Sequence, residues 1–152
     1  MAFPTSVRIP MEGVGTSLGT VAIPKIRIRF PRSDAAGWSA PYTALVDTGA
    51  WTTLVRDEIA DLLGLRAIVS AGELIRFVGV DGKEHPGRKV SLNVLVGPTD
   101  PDKCLSVSDA TICFTTQDLP YPVLLGQRDI LERFELNHRN QQPAPEFVLR
   151  RP

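Results

Sequence analysis

Apolar and polar residues alternate over several short stretches of the chain, a pattern typical of β-strands with one buried face. Between positions 20 and 30, apolar side chains at Ile26, Ile28 and Phe30 alternate with basic residues, which predicts a half-exposed strand. Because Pro24 has no amide hydrogen, the first part of this run is expected at a sheet edge or a bulge. Further strands are predicted at 43–46, 51–55, 73–80, 89–96, 105–115, 123–126 and 147–149.

Two stretches change from the twofold period of a strand to the period of a helix. One covers residues 57–63 and is followed by Gly64 at the position of a helix C-terminal cap, and the other covers residues 127–134. Their apolar faces consist of Ile59, Leu62 and Leu63 in the first and of Ile130, Leu131 and Phe134 in the second. The sequence therefore predicts a mostly β protein with two short helices, in which the sheet is closed or folded over.

A long hairpin is predicted in the middle of the chain. The strands at 73–80 and 89–96 are separated by Asp81-Gly82, a pair that accepts the positive φ angles of a tight turn. Pro86-Gly87 is expected to loosen the returning arm, and His85 beside it is expected to lie in a solvated loop.

Length and charge narrow the class of protein. A chain of 152 residues fits one domain and can bury a core without cross-links. The 17 basic and 17 acidic residues balance, and no basic stripe follows the chain, so nucleic-acid binding is not expected. No apolar run reaches the roughly 18 to 20 residues that cross a bilayer, and the first ten residues do not resemble a signal peptide. We therefore expect no membrane association and a cytoplasmic location.

The two cysteines, Cys104 and Cys113, lie in a region with strand character. Two cysteines do not make a disulfide framework, so we predict buried thiols, with a disulfide or redox role as the alternative. No histidine pair lies near them at the spacing of metal ligands, and no metal or cofactor is expected.

The strongest candidate for chemistry is Asp47, at the end of the apolar strand at 43–46. A strand end is rigid, Gly49 lets the backbone turn closely, and Thr48 can lock the turn by hydrogen bonding, so the carboxylate is held immobile and can be aimed. The alternative is an ordinary β-turn in which Asp47 only satisfies backbone amides.

A second motif favours the catalytic interpretation of Asp47 over the ordinary β-turn. Residues 123–131 read Val-Leu-Leu-Gly-Gln-Arg-Asp-Ile-Leu, an apolar run and a glycine that open a predicted helix. The ordered set of Asp-Thr-Gly-Ala after an apolar strand, a long hairpin, and apolar-apolar-Gly followed by Arg-Asp resembles the retropepsins, the single-domain aspartic proteases of retroviruses and their cellular and bacterial relatives. The resemblance covers residues 43–136 and is carried by the two motifs.

The resemblance implies a role for each matching position. Asp47 corresponds to the catalytic aspartate and Thr48 to the residue whose hydroxyl reaches the partner chain, while Gly49 and Ala50 shape the floor of the site. Leu125 and Gly126 belong to the second motif, in which the glycine packs under the active-site loop. Arg128 and Asp129 resemble the start of the C-terminal helix. The flap that closes over substrate corresponds to Phe77, Val78, Gly79, Val80, Asp81 and Gly82.

The fold implied is a closed, folded-over β-barrel of the retropepsin-like acid-protease type, with one or two short helices and a flap hairpin. The chain 1–152 would form a single domain with its core at about 19–136, and the segments 1–18 and 137–152 would be peripheral. Trp51 departs from the family pattern, where the residue is usually smaller and polar. The flap holds few glycines, and the first forty residues have no counterpart in the family.

Peptide hydrolysis of this type needs two carboxylates, of which one takes a proton from water and the other donates one to the scissile carbonyl oxygen. The chain contains no second Asp-Thr-Gly or Asp-Ser-Gly. A symmetric homodimer would supply a second Asp47 across a twofold axis. The expected function is thus an aspartic endopeptidase that acts on a peptide or protein substrate.

Two other functions stay open. The first is a retropepsin-like module that dimerises or binds peptides without turnover, because fold does not fix function. The second is a small β-barrel binding protein in which Asp-Thr-Gly is accidental, and which would be a monomer without paired carboxylates.

Overall fold

The computed structural model describes residues 4–33, 37–79, 81–139 and 145–152. The strands in this part of the chain are β1 (Ser6–Pro10), β2 (Glu12–Thr16), β3 (Gly19–Ile23), β4 (Lys25–Arg29), β5 (Tyr42–Val46), β6 (Thr53–Arg56), β7 (Glu73–Val78), β8 (Glu84–Gly97), β9 (Leu105–Thr115), β10 (Val123–Leu125), β11 (Glu135–Arg139) and β12 (Glu146–Arg150). The α-helices are α1 (Glu58–Leu62) and α2 (Arg66–Ser70), and 3-10 turns cover Pro101–Lys103 and Leu131–Arg133. None of the helices in these ranges has the length and apolar character needed to cross a bilayer. The cytoplasmic location stays a prediction.

Six strands close into a barrel in the order β4-β5-β10-β6-β9-β8, and β8 returns to pair with β4. Closure depends on the length of β8, whose first part pairs with β7 while its last residues reach β4, with Val96 opposite Ile28. The hairpin β7–β8 thus projects from the barrel as an extension of one of its own strands. The mostly β class, the closed barrel and the projecting hairpin are confirmed. Two short helices are present, although only α1 lies where the sequence predicts one.

Buried apolar side chains on alternate strand positions fill the barrel. Ile26, Ile28 and Phe30 are buried as the alternation predicts, and Val55 and Ile112 join them from β6 and β9. Burial of one such side chain stabilises a fold by about 1.5 to 3 kcal/mol relative to leaving it exposed. Pro24 separates β3 from β4, where the sequence places an edge or bulge.

The two ends of the chain form a separate antiparallel sheet in the order β1-β12-β11. Val7 and Ile9 from β1 and Phe147 and Leu149 from β12 are buried in the same core cluster as the barrel. The N-terminal segment has no counterpart in the retropepsin pattern of the sequence. It packs on the barrel core through β1, which pairs with β12 near the other end of the chain.

The helix at 57–63 is present, but its predicted face is partly wrong. Ile59 and Leu63 are buried, whereas Leu62 is 70% exposed. The helix has only one turn, so a single i, i+4 pair packs on the barrel, and Leu62 points away from it. Gly64 ends it with φ +70° as expected, and the chain then forms α2, which the β-prone residues 65–70 do not predict.

The second predicted helix, at 127–134, is absent as an α-helix. The segment is a series of turns that ends in the 3-10 turn Leu131–Arg133, and Asp129 has φ +63°, which an α-helix does not contain. Ile130, Leu131 and Phe134 are nevertheless buried, so the apolar pattern is satisfied by a tighter turn.

Cys104 and Cys113 are both free and buried, which confirms the buried-thiol prediction. Burial raises the pKa of the Cys113 thiol to about 11. Burial also raises the pKa of Cys104, whose thiol donates to the carbonyl oxygens of Pro98 and Asp100. Both sulfurs are thus protonated near neutral pH, the less reactive form.

Candidate active site

Asp47 follows β5 directly and begins a hydrogen-bonded turn. Its amide donates to the carbonyl oxygen of Leu125 at 3.0 Å, and its own carbonyl oxygen accepts from the Ala50 amide at 3.1 Å. The carboxylate closes the turn further, because Oδ1 accepts from the Gly49 amide at 3.0 Å. Within the described part of the chain, Oδ2 accepts no hydrogen bond. One oxygen therefore orients the acid, and the other is available to a ligand.

The Thr48 side chain does not lock this turn within one chain. Thr48 is exposed, and its hydroxyl makes no hydrogen bond with any of the described residues. The side-chain amide of Gln127 holds the turn instead, by donating to the Thr48 carbonyl oxygen at 3.0 Å.

The second motif packs directly on the Asp47 turn. β10 lies between β5, to which it is parallel, and β6, to which it is antiparallel, so Leu125 is opposite Val46. The chain continues past β10 with its Gln127 amide bonded to the Ala50 carbonyl oxygen at 2.9 Å. The parallel register brings the two motifs to the same end of the barrel.

Gly126 makes this contact possible because it has no side chain. A Cβ there would lie 2.6 Å from the carbonyl carbon and oxygen of Thr52 and 2.9 Å from the Thr53 nitrogen. The Gly126 amide donates to the buried Thr53 hydroxyl at 2.9 Å. The position therefore requires glycine for space, and Thr53 satisfies its only donor.

Arg128 and Asp129 are placed beside the site, not in its cleft. The Arg128 amide donates to the Trp51 carbonyl oxygen at 2.8 Å, while its exposed guanidinium has no partner among the described residues. Asp129 accepts from the amide and hydroxyl of Thr111 and lies 3.5 Å from Arg133. The Thr111 hydroxyl, more than any other neighbour, lowers the pKa of Asp129. The acid thus fastens the second motif to β9.

A cleft of about 710 Å³ opens above the Asp47 turn. Its floor and walls are mostly apolar, and Asp47 is at its floor. The residues that line it include Asp47, Trp51, Leu54, Ile75, Phe77, Gln117 and Leu124. Trp51 is 64% exposed at the rim, which is unusual for so large an apolar group. Asp118 also lines the cleft, but Asp47 is the acid that the turn after β5 holds in place. An apolar cleft with such a fixed acid is typical of a binding or catalytic site.

The predicted flap is the hairpin β7–β8. Phe77 is half-buried and Val78 is exposed, while Gly82 has the expected positive φ of +74°. The Gly79 amide donates to the Lys83 carbonyl oxygen at 2.9 Å across the tip. Val80 lies outside the described residues.

His85 is not in a solvated loop, so that expectation is wrong. It belongs to β8, its Nε2 lies 2.9 Å from Asp81 Oδ2, and its ring packs 5.8 Å from the Phe77 ring. Asp81 also accepts from the Lys83 amide at 3.0 Å. This bond and the contact with His85 lower the pKa of Asp81. The local sequence could not show that β8 begins before His85 and pairs this residue with Phe77 of β7.

The flap tip lies against the loop that precedes β10. A Cβ at Gly79 would lie 2.8 Å from Gln117 Nε2, so the absent side chain allows this approach. Gln117 Oε1 is buried and accepts no hydrogen bond from the described residues.

Three polar residues of the site, Thr53, Gln117 and Gln127, are missing from the sequence-based candidates, as are the apolar cleft residues Leu54, Ile75 and Leu124. Each of the three polar residues acts through a single polar atom directed at the turn or the flap, and none lies in a recognisable motif except Gln127, which follows Gly126. The position of Gln127 directly after Gly126 could have indicated its role, because the residue after a tightly packed glycine passes close to the neighbouring turn.

No protein-family model matches this chain, and neither does any curated protein sequence. Comparison with solved structures finds the crystal structure of a retropepsin-like aspartic protease from Rickettsia conorii, which is similar with a TM-score of 0.56. The alignment covers 94% of this chain and 89% of that chain, at 19% sequence identity. Likeness at this identity concerns the fold alone. The chain therefore has the fold of a retropepsin-like aspartic protease, as the two motifs in its sequence imply.

Proposed function

We propose that the protein is an aspartic endopeptidase whose active site forms from the Asp47 residues of two identical chains. The observation that carries this proposal is the placement of Asp47 at the floor of an apolar cleft, with Oδ1 bound to its own turn and Oδ2 without a partner in the described chain. A carboxylate that served only to satisfy backbone amides would not need to face a cleft beneath a hairpin.

One carboxylate is not sufficient for the reaction. An ionised acid takes a proton from water while a protonated acid donates to the carbonyl oxygen, so that water adds to the carbonyl carbon. Collapse of this tetrahedral intermediate breaks the C–N bond as the nitrogen receives a proton, and an acid and an amine leave. Two like charges at close range do not both ionise, and the pair therefore shares one proton, as in other aspartic proteases.

A second copy of the chain is the source of the second acid in this proposal. An isologous dimer places identical residues on both sides of a twofold axis. The exposed Thr48 supports this assembly, because its hydroxyl has no bond within the described chain and is available for a contact between chains.

The proposed substrate is an extended peptide bound between flap and floor. The flap contributes Ile75 and Phe77 and the floor contributes Leu54 and Leu124, so apolar side chains are favoured on the substrate. Binding by strand addition would use backbone hydrogen bonds for affinity and alternate side-chain pockets for selectivity.

The test is cleavage of an unstructured protein between acid and neutral pH by wild type and Asp47→Asn. The asparagine oxygen still accepts from Gly49, so the turn is kept while the acid is removed. We expect the rate to fall by roughly 10²- to 10⁴-fold or more. Asp102→Asn, which removes an acid outside the cleft, is the matched control and should cleave like wild type.

The same experiment decides between turnover and binding alone. If neither wild type nor Asp47→Asn cleaves the protein but both still bind peptide, the result would support the non-catalytic module. Cleavage that both proteins perform equally would assign the activity to a contaminant and contradict the proposal.

A further inference from the structure

One wall of the cleft is the loop of residues 116–122, which joins β9 to β10. Gln117, Asp118 and Pro120 of this loop line the cleft, so the position of the loop affects the shape of the binding space. Pro120 and Pro122 have no amide hydrogen, and this half of the loop therefore cannot pair as a regular strand. The wall must be held by groups from elsewhere in the chain.

Arg56, the last residue of β6, holds the loop at two points. Its amide donates to the carbonyl oxygen of Pro122 at 3.1 Å, where the loop enters β10. Its guanidinium Nη2 donates to the carbonyl oxygen of Leu119 at 2.8 Å, in the middle of the loop. A hydrogen bond from a charged donor is stronger than one between neutral groups. One residue thus fixes both the end of the loop and the carbonyl group that precedes Pro120.

The side chain of Leu119 is fixed as well. It is 3% exposed and packs with Leu54 and Cys113 in a small apolar cluster. Apolar burial holds the side chain of this residue, while Arg56 holds its carbonyl oxygen. Because apolar burial is non-directional, the hydrogen bond is what orients the Leu119 peptide group, and with it Pro120 at the surface of the cleft.

The first end of the loop is held independently of Arg56. The hydroxyl of the buried Thr115 accepts from the Gln117 amide at 3.1 Å and donates to the Pro86 carbonyl oxygen at 3.0 Å. Removal of the Arg56 guanidinium should therefore release the part of the loop around Leu119 without releasing the whole wall.

We propose that Arg56 is a positioning residue of the cleft, whose guanidinium holds the loop 116–122 in the shape that accepts a peptide. Arg56 itself does not line the cleft, so it acts through the residues of the loop that do. The inference rests on the proposed function only in that the cleft is where the substrate binds. Loss of the guanidinium should weaken peptide binding and leave the chemistry at Asp47 unchanged.

The test compares Arg56→Met with Arg56→Lys, with the unstructured protein casein as substrate. Methionine keeps an unbranched side chain but donates no hydrogen bond, whereas lysine keeps a charged donor. We expect Arg56→Met to raise KM roughly tenfold and to change kcat by less than about twofold, because the wall is then correctly formed in only a fraction of the molecules. The KM of Arg56→Lys should lie closer to that of wild type.

Two results of this comparison would overturn the proposal. A loss that falls on kcat at unchanged KM would place the effect of Arg56 in the chemical step and not in binding. Equal KM values for the methionine and lysine variants would show that the charged donor does not hold the wall.

Arg29→Met is the matched control. Like Arg56, Arg29 has a buried Nε without a partner among the described residues, and it donates to loop carbonyl oxygens, those of Ser39 at 2.8 Å and Thr99 at 2.6 Å. Neither of these two residues lines the cleft. We expect Arg29→Met to lower the midpoint of urea unfolding at least as much as Arg56→Met does, with an unchanged KM. An equal rise of KM in both variants would assign the effect to a general loss of stability and would contradict a positioning role.

Binding measured in the Asp47→Asn background separates this inference from the proposed function. Fluorescence anisotropy of labelled casein reports affinity without turnover. If Arg56→Met weakens binding about tenfold and Arg29→Met does not, the positioning role stands even if wild type never cleaves. If wild type cleaves while Arg56→Met keeps the wild-type KM and affinity, the endopeptidase stands and the positioning role fails. A chain that neither cleaves nor binds casein has no peptide to position, and both proposals then fail.

Discussion

The floor of the cleft and the flap above it are held by different kinds of interaction. At the floor, backbone groups of the Asp47 turn bond to backbone groups after β10, and Gly126 packs on the chain at Thr52 with no space for a methyl group. At the flap tip, the hydrogen bonds join residues of the hairpin itself: the Gly79 and Gly82 amides donate to backbone carbonyl oxygens, and the exposed Asp81 contacts the Lys83 amide and His85. The floor is thus built for fixed geometry, and the flap is built to open at little cost.

This difference matches what each part is proposed to do. A carboxylate that shares a proton with its copy must be held within fractions of an ångström, which close-packed backbone achieves. A lid must release and admit a peptide, and regions with few buried contacts open most readily. The four changes below test the contrast, beginning with the largest expected effect.

Gly126→Ala should be the most damaging single change to the floor. Its Cβ would lie 2.6 Å from the Thr52 carbonyl group, and backbone cannot yield as a side-chain end can. We expect a loss of about 3 kcal/mol or more in the free energy of unfolding, measured by urea denaturation. Gly15→Ala, where nothing lies within 4 Å, is the control and should change stability by much less. Equal effects of the two would show that the floor is not tightly packed.

Thr53→Val should weaken the same contact without adding atoms. It removes the hydroxyl that accepts from the Gly126 amide and leaves this buried donor without a partner. We expect a loss of about 2 kcal/mol in the free energy of unfolding by urea denaturation. Thr53→Ser keeps the oxygen and should retain the hydrogen bond. A serine variant that is less stable than the valine variant would assign the role of Thr53 to its methyl group instead.

Asp129→Asn should give a smaller and pH-dependent effect at the edge of the floor. The pKa of Asp129 is lowered in the folded chain, so its charged form stabilises the fold above about pH 4, and this contribution is lost as the pH falls through the lowered value. Asparagine fits the same positive φ but carries no charge. We expect wild type to exceed the variant by about 1 kcal/mol at pH 7 and by nothing near pH 2, in denaturation curves at each pH. A difference that persists in acid would exclude the charge as its source.

Asp81→Asn should have the least effect on global stability, because the contact that it weakens is exposed. Asparagine can still accept from the Lys83 amide, but it loses the charge that faces His85. We expect amide hydrogen exchange in the flap to rise a few-fold, with unchanged exchange in β9 and β10, by mass spectrometry. A fall in protection of the barrel would contradict the separation of flap from floor.

The local pattern was sufficient where one strand face packs on the core and the turn is set by residue type. β9 covers the predicted 105–115, β5 includes the predicted 43–46, and Asp81-Gly82 marks the turn of the long hairpin. In each case the side-chain period or the backbone preference of one residue decides the outcome.

The pattern failed where several tertiary contacts share a short segment. At 127–134 the apolar spacing favours a helix, but Asp129 takes a positive φ while its carboxylate bonds to Thr111 of β9, and the segment folds as tight turns. At 65–70, β-branched residues conceal the single turn of α2. The partner of Thr48 in the turn, Gln127, could not be seen from propensity because it lies far along the chain.

The sequence by itself determined which residues are apolar on one face, where the chain must turn, and that a single Asp-Thr-Gly is present, because these depend on side-chain type and short spacing. Only the tertiary structure decided that β10 passes between β5 and β6, that Gly126 packs against the backbone at Thr52, and that β12 lies between β1 and β11. Strand order, register and close approach depend on contacts between residues distant in sequence, and no local preference encodes them.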